Sequence, residues 1–176
     1  MGEQVLLHRR RVFRALGAFV STVAIPAFAA SRLPLPAGEV LLTVTGRIAV
    51  TNDGARARLD RALLSAWGTD ELRTSTPFSD GLSTFSGVLA SRLLDGLGAD
   101  GTRLRASALN DYVVTIPIDE LRSFPVLLAL DRDGRPLSVR DRGPIWVIYP
   151  WSEYPQLDDR VHRQRSIWQL SEIEVI

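Results

Sequence analysis

Histidine and cysteine, two side chains widely used for metal binding and nucleophilic catalysis, are scarce in this sequence. The 176 residues include no cysteine and two histidines. Without cysteine there are no disulfides, thiolate metal sites or cysteine nucleophiles. His162 is the only histidine after residue 8, so neither a histidine-rich zinc site nor a Ser-His-Asp triad can be assembled. It lies in the charged segment 158–163, where a histidine either contacts a ligand or stays at the surface.

Two other clusters have residue types that can bind ligands. Asp131 and Asp133 precede Gly134 with the spacing of a calcium loop, but the twelfth position of that loop is Arg142, which favours a hairpin turn. Segment 149–155 contains aromatic residues between prolines. These rings either line a pocket or a partner surface, or pack onto the domain as core residues.

The distribution of charge excludes one class of partner. All 21 basic residues are arginine, which we attribute to coding bias and which weakens the case for any single arginine as an anion ligand. Four of the 21 arginines and one of the 20 acidic residues lie in residues 1–29. The remaining residues therefore have 17 arginines and 19 acidic residues, a formal charge of −2. A nearly neutral chain without a basic run lacks the electrostatic footprint of nucleic-acid binding. We expect small molecules or proteins as partners.

The first 29 residues show the zones of an export signal. Four arginines at positions 9–14 form a basic region, and residues 15–31 are uncharged. Pro26 breaks the apolar helix before Ala27-Phe28-Ala29, which fits an A-x-A cleavage site ahead of Ala30. The alternative is a retained membrane anchor, but 17 uncharged residues with a proline are at the lower limit for spanning a bilayer. We expect cleavage and a periplasmic or otherwise exported protein.

The arginines also bear on the route of export. Residues 9–14 read R-R-x-apolar-apolar-basic, which resembles a bacterial twin-arginine signal. The preceding residue is His8 instead of the usual serine or threonine, and adjacent arginines also occur in general secretory signals. The pattern favours the twin-arginine route and leaves the general secretory route open.

The 147 residues after residue 29 are enough for one domain and too few for two ordinary ones. Residues 30–39 are expected to form an extended tether, and residues 40–176 the domain. About six strands are predicted, and those at 126–130 and 145–149 are apolar on both faces, as in buried central strands. The extended segments are residues 40–46, 72–78, 103–109, 112–116, 126–130, 145–149 and 166–175.

Two main helices are predicted from apolar residues at helical spacing. The first covers residues 55–67 and ends at Gly68. The second is capped by Ser86 and ends at Gly96 and Gly98. A short helical connector is expected at 118–122, and turns are expected at 52–54, 79–81, 110–111 and 131–134. The apolar faces comprise Leu59, Leu63, Ala66 and Trp67 in the first helix and Val88, Leu89, Leu93, Leu94 and Leu97 in the second.

The order of several motifs resembles the molybdopterin-binding domain of sulfite oxidase-type oxidoreductases. Residues 85–88 resemble the family's F-x-G-V helix, and residues 110–117 resemble its D-G-Y-x-x-x-I-P hairpin. Further similarity lies in D-G-R-P-L at 133–137, in R-G-P before an apolar run at 142–150, and in S-I-W-Q-L at 166–170. Each motif is common alone, and their shared order over about residues 40–176 carries the resemblance. The alternative is an unrelated mixed domain with similar turn residues.

This resemblance implies a fold class and a cofactor. The fold is α+β, with a mixed, barrel-like sheet core, two main helices and long crossing loops, and the cofactor is a molybdopterin. In the family a cysteine thiolate ligates the molybdenum, and it lies in the window that corresponds to residues 74–81. Because no cysteine is present, Ser75, Ser79 and Asp80 are the replacement candidates by resemblance. Serine and aspartate in such a segment are also ordinary turn residues.

The resemblance also suggests residues that bind the cofactor. Arg73, Arg140, Arg142 and Arg165 lie near family-like loops and are candidates to hold a pterin phosphate, Arg142 most of all because it adjoins the G-P pair. His162 lies in a loop where the family often places pocket residues. For each of these residues the alternative is a solvated side chain at the surface.

Two functions are compatible with these residues. The first is an exported, oxidoreductase-like redox protein that binds a molybdopterin-type cofactor without the usual cysteine ligand for molybdenum. The second is a non-catalytic ligand-binding, sensory or accessory module on the same fold. A membrane redox protein or a sensor protein is a candidate partner.

The predicted cleavage can be tested on the exported protein. Expression with residues 1–29 in a bacterial host should give a mature chain that begins at Ala30, because the peptidase cuts after A-x-A. N-terminal sequencing and intact mass identify the terminus. A chain that keeps residues 1–29 and stays in the membrane fraction would support the anchor instead.

Overall fold

A computed structural model describes residues 32–176. The expected export signal, its expected cleavage site and its arginine pair fall in residues 1–31 and lie outside the described residues. The strands in the described part are β1 Val40–Gly46, β2 Ala57–Asp60, β3 Asp70–Thr76, β4 Ser79–Leu89, β5 Arg103–Ala108, β6 Val113–Pro117, β7 Leu127–Arg132, β8 Arg135–Pro136, β9 Trp146–Ile148 and β10 Leu170–Val175. The helices are α1 Arg61–Ser65, α2 Ala90–Gly96, α3 Ile118–Ser123 and α4 Arg160–Arg165, and Val139–Asp141 and Pro155–Leu157 form 3₁₀ turns.

The strands form two five-stranded sheets. The first has the order β2-β1-β10-β5-β6, and β1 runs parallel to β10 while its other pairs are antiparallel. The second has the order β3-β4-β7-β8, with β9 also paired to β7. Parallel pairing of β1 with β10 brings the two ends of the described chain together inside one sheet. The long connection between these strands makes the fold rich in contacts distant in sequence.

One hydrophobic core joins the two sheets. Leu104, Ile116 and Ile173 of the first sheet line the same interior space as Leu128 and Val147 of the second. The run 126–130 is buried throughout, as expected for a central strand, because β7 is covered on both faces. The predicted β1 strand, the β5–β6 hairpin, the α3 connector and the turn at Asp133-Gly134 are confirmed within a residue or two.

The predicted helix over residues 55–67 is wrong for most of its length. Ala57 and Leu59 are buried and Arg58 is exposed, an alternation that belongs to strand β2, and the helix covers only Arg61–Ser65. The spacing of Leu59 and Leu63 suits either structure, so the pattern alone did not distinguish them.

The predicted helix capped by Ser86 is also misplaced. Ser86 and Gly87 lie within β4, which continues to Leu89, and α2 starts at Ala90 without a side-chain cap. A Cβ at Gly87 would lie 2.1 Å from the carbonyl oxygen of Leu128, so glycine is needed where β4 crosses close to β7. The F-x-G-V motif, predicted as a helix, therefore belongs to β4 at the point where this strand lies close to β7.

Three smaller predictions change. The turn after β3 is formed by Pro77 and Phe78, whereas Ser79 and Asp80 already belong to β4. Trp168 precedes β10 instead of lying in it. The described residues form two open sheets with four helices of five to seven residues, in place of a barrel-like core with two main helices. Within residues 32–176 no helix combines the length and apolar character that crossing a membrane requires.

Asp60 holds the tether to the domain. Its carboxylate accepts hydrogen bonds from the backbone N–H groups of Ala37 and Gly38, each at 2.8 Å, and caps α1 through the N–H of Leu63 at 2.9 Å. The residue is 3% exposed. These N–H donors, Leu63 first, lower the pKa of Asp60 below its ordinary 3.8.

Replacing Asp60 with alanine should lower the melting temperature, because three backbone donors lose their acceptor. A carboxylate with a lowered pKa stabilises the fold above its unfolded pKa, and this contribution disappears as the pH falls through the folded pKa. The advantage of wild type should therefore be complete at neutral pH and should shrink once the pH falls below the ordinary value of 3.8. Thermal unfolding followed by circular dichroism measures it.

Asp100→Ala is the matched control, because that side chain is 91% exposed. An effect of Asp60→Ala no larger than that of the control would contradict the role assigned to Asp60.

Candidate functional site

A cavity of about 600 Å³ opens between the β3–β4 turn, the β5–β6 turn and the α4 segment. A cavity of this size suits a small organic ligand. Its wall contains aromatic rings, amides and both signs of charge. The lining residues are Phe78, Asn110, Tyr112, Asp158, Asp159, Arg160, Arg163, Gln164, Ser166, Ile167 and Trp168.

Three aromatic residues line the cavity, Phe78, Tyr112 and Trp168, and two of them, Phe78 and Trp168, contact each other. Their ring centroids are 5.2 Å apart at 80°, an edge-to-face contact. Phe78 also meets Trp151 at 6.4 Å, and Trp168 meets Trp146 at 6.5 Å, so the wall continues into the core. Phe78 projects from the tight turn Pro77-Phe78, which explains how a residue between two strands reaches the cavity.

Arg142 supports this wall from outside the cavity lining. Its guanidinium lies 4.9 Å from the ring centroid of Trp146 and 5.6 Å from that of Trp168. It also donates a 2.8 Å hydrogen bond to the carbonyl oxygen of Phe78. Arg142 has a left-handed backbone with φ of 70°, which is uncommon for a residue with a side chain. The fold thus uses Arg142 to hold Phe78 and Trp168 together.

Helix α4 forms the charged part of the wall. Asp159 caps it by accepting from the N–H groups of Val161 at 2.7 Å and His162 at 2.9 Å. The backbone bond from His162, followed by contact with its imidazole, lowers the pKa of Asp159. Arg163 donates to Asp158 at 2.8 Å, which raises the pKa of Arg163. Both carboxylates are therefore already hydrogen-bonded to residues of α4.

His162 and Arg165 lie on α4 but contact the interior instead of the cavity. His162 Nδ1 is 2.9 Å from Asp159 Oδ2, and its Nε2 is 3.7 Å from Glu120 Oε2. Arg165 donates to the same Glu120 oxygen. The fully buried Tyr149 hydroxyl donates to Glu120 Oε1 at 2.5 Å. Burial, and then this hydrogen bond, hold the pKa of Tyr149 far above its ordinary value, so the phenol stays neutral.

The window proposed to replace the thiolate does not converge on a ligand. The Ser75 hydroxyl lies 3.2 Å from the Ser152 hydroxyl, and that of Ser79 lies 2.8 Å from Thr76 Oγ1. Asp80 and Arg73 are exposed on the β3–β4 hairpin. Of residues 74–81, Phe78 is the one that lines the cavity.

These residues do not fit molybdenum bound as the resemblance implies. The hydroxyls of Ser75 and Ser79 are engaged in hydrogen bonds, and Asp80 is exposed. In residues 32–176 no group of three or more His, Cys, Asp or Glu is placed to hold a metal ion. The cavity itself combines flat aromatic rings with two arginines of α4, Arg160 and Arg163.

Sequence reasoning selected segment 158–163 and did not select most of the residues that line the cavity. Segment 158–163 does contribute four lining residues, but His162 is not one of them. Trp168 was assigned to the last strand, and Asn110 and Tyr112 were regarded only as turn and hairpin residues. An aromatic just before an apolar strand, at S-I-W, was the available signal for Trp168. Arg140 is exposed and borders a separate groove with Arg142.

Comparison with known proteins supports the fold alone. No protein-family model matches the sequence, and no curated protein is significantly similar to it. Among solved structures, the chain is similar to the sulfane dehydrogenase SoxCD from Paracoccus pantotrophus, with a TM-score of 0.53 and 14% identity. The similarity covers 81% of this chain and 39% of that chain, so this chain spans less than half of that neighbour's length. The chain therefore has a related α+β fold.

The contacts of Glu120 give a testable prediction. Glu120→Ala leaves the buried Tyr149 hydroxyl and Arg165 without their acceptor, and should lower the free energy of unfolding by about 3 kcal/mol. Glu120→Gln keeps an acceptor for the hydroxyl and should cost less. Urea unfolding followed by tryptophan fluorescence measures both.

Glu153→Ala is the control, because Glu153 is exposed. If Glu120→Ala is no less stable than Glu153→Ala, then Glu120 does not join α3, Tyr149 and α4 as described.

Proposed function

We propose that this chain binds a molybdopterin-type cofactor, or a chemically similar flat anionic ligand, without cysteine-ligated molybdenum. It would act as a ligand-binding module on a redox-related fold. The observation that carries this proposal is the cavity of about 600 Å³ with Trp168 and Phe78 in its wall.

The aromatic wall supports a flat ligand. One face of the Trp168 indole is covered by Arg142, which does not line the cavity, so the ring stands between the cavity and the guanidinium. A flat heterocycle in the cavity would pack against the remaining surface of Trp168. Asn110 and Gln164 supply amides beside it, and amides can pair with the donor and acceptor edge of a pterin.

The charges in the wall support an anionic group on that ligand. Asp158 is paired with Arg163, and Asp159 is held by the N-terminus of α4 and by His162. Arg160 is exposed and makes no ion pair within residues 32–176. It is therefore the wall cation that can bind a carboxylate or phosphate of the ligand.

The fold and the leader support a place in redox biology. The sequence resembles sulfite oxidase-type domains, and the fold is related to that of a sulfane dehydrogenase. The signal expected in residues 1–29 would export the chain. If its arginine pair is a twin-arginine signal, export would use the route that moves folded proteins. A membrane redox protein or a sensor protein would be the partner.

A catalytic oxidoreductase is the second candidate, and the arginine pair at 9–10 favours it. The twin-arginine route is often used when a cofactor is loaded before export. Catalysis would need a metal ligand other than cysteine. The contacts of Ser75, Ser79 and Asp80 give this candidate less support than ligand binding.

Protein purified from its native host should contain a pterin and little molybdenum per chain, because the cavity offers rings and no thiolate. Metal analysis and fluorescence of released pterin measure the two contents. Absence of both pterin and molybdenum would contradict the proposed cofactor binding, and stoichiometric molybdenum would favour the catalytic candidate.

With purified protein, Trp168→Leu should weaken binding of pterin-6-carboxylate by about tenfold, because stacking on an aromatic ring is lost.

Trp67→Leu is the matched control for that variant. Trp67 is also half-buried, but it packs against Gly96 of α2 and does not line the cavity. Equal loss of binding in both variants, or no loss in Trp168→Leu, would contradict the assignment of the cavity.

A further inference from the structure

Trp168 also borders a second, smaller groove of about 340 Å³. Three arginines and one aspartate line it, a local formal charge of +2. The described residues as a whole carry 17 arginines against 19 acidic residues, a charge of −2. The groove is therefore a locally basic site on a nearly neutral domain. Its lining residues are Arg132, Val139, Arg140, Asp141, Arg142, Trp168 and Gln169.

The arginines of this groove are poorly neutralised by the protein. Within residues 32–176, neither Arg140 nor Arg142 has a carboxylate within 4.0 Å. Arg132 has one contact of 3.6 Å with Asp133 and donates to the Ser83 hydroxyl at 2.9 Å. The carboxylate of Asp141 accepts a 2.6 Å hydrogen bond from Ser138. Positive charge thus accumulates here without a matching partner.

The backbone that forms the groove is held in an uncommon conformation. Arg142 and Gln169 have φ of 70° and 54°, both in the left-handed region that disfavours residues with a Cβ. The Gln169 N–H donates to the Arg142 carbonyl oxygen at 3.0 Å, and its side-chain amide donates to Val139 at 2.8 Å. Trp146 and Trp168 fix the Arg142 guanidinium by cation–π contact. The groove is therefore organised before any ligand binds.

Like charges that lie together repel, and a bound anion removes that repulsion. Guanidinium groups form paired N–H···O hydrogen bonds with phosphate and similar oxyanions. We propose that this groove binds a tetrahedral oxyanion group, phosphate or sulfate, through Arg132, Arg140 and Arg142. The site is separate from the cavity and does not depend on the ligand that the cavity takes, although Trp168 borders both.

Isothermal titration of the purified protein with inorganic phosphate, sulfate and phenyl phosphate tests this site, with chloride holding the ionic strength constant. At least one of these anions should bind saturably at one site per chain. Arg140→Gln should weaken its binding by about tenfold, because it removes a charged donor. Arg140 is exposed and makes no side-chain hydrogen bond within residues 32–176, so the variant should fold as wild type.

Arg103→Gln is the matched control, an exposed arginine of β5 in the other sheet. If phenyl phosphate alone binds, the natural ligand of the groove is a phosphate ester. If the inorganic ions bind, the natural ligand is a free anion. A bound anion should also raise the melting temperature of wild type more than that of Arg140→Gln. Absence of saturable binding for all three anions, or equal weakening by the two variants, would overturn the proposal.

Discussion

The carboxylate of Glu120 connects three parts of the structure that the chain places far apart. It accepts from the buried hydroxyl of Tyr149 after β9 and from Arg165 of α4, while it belongs to α3. A buried carboxylate is stable only where such partners satisfy it, so α3, Tyr149 and α4 must assemble together. Because α4 carries the charged wall of the cavity, the position of that wall depends on a residue that does not touch the cavity.

The aromatic wall depends on a similar interaction at its back. Arg142 joins the carbonyl oxygen of Phe78 to the rings of Trp146 and Trp168. The residue that sequence reasoning selected as a phosphate ligand thus supports the wall on one side and faces a basic groove on the other. The resemblance to sulfite oxidase-type domains is supported at the level of a related fold. Because the sequence has no cysteine, binding of an organic ligand by this chain does not imply thiolate-ligated molybdenum.

Local patterns predicted the strands better than the helices. The apolar run at 126–130 and the turn between β5 and β6 lie where expected, because these signals depend on neighbouring residues. The two main helices were misplaced because Leu59, Val88 and Leu89 have spacings compatible with a helix, while pairing with strands distant in sequence makes them extended. Segment 158–163, which the sequence suggested for a site, contributes four residues to the cavity wall, but which of them face the cavity depends on Glu120 and Tyr149.

The sequence by itself determined the absence of thiolate chemistry, the scarcity of histidine and the charge of −2 over residues 30–176. The export signal in residues 1–29 stays a prediction from the same sequence. Composition and short motifs suffice for these, because they depend only on which residue types are present. The tertiary structure decided that His162 and Arg165 contact the interior, that Phe78 and Trp168 contact each other in the cavity wall, and that three arginines share a groove. These residues come from segments 78, 132–142 and 160–169. Only the pairing and packing of distant elements brings them together.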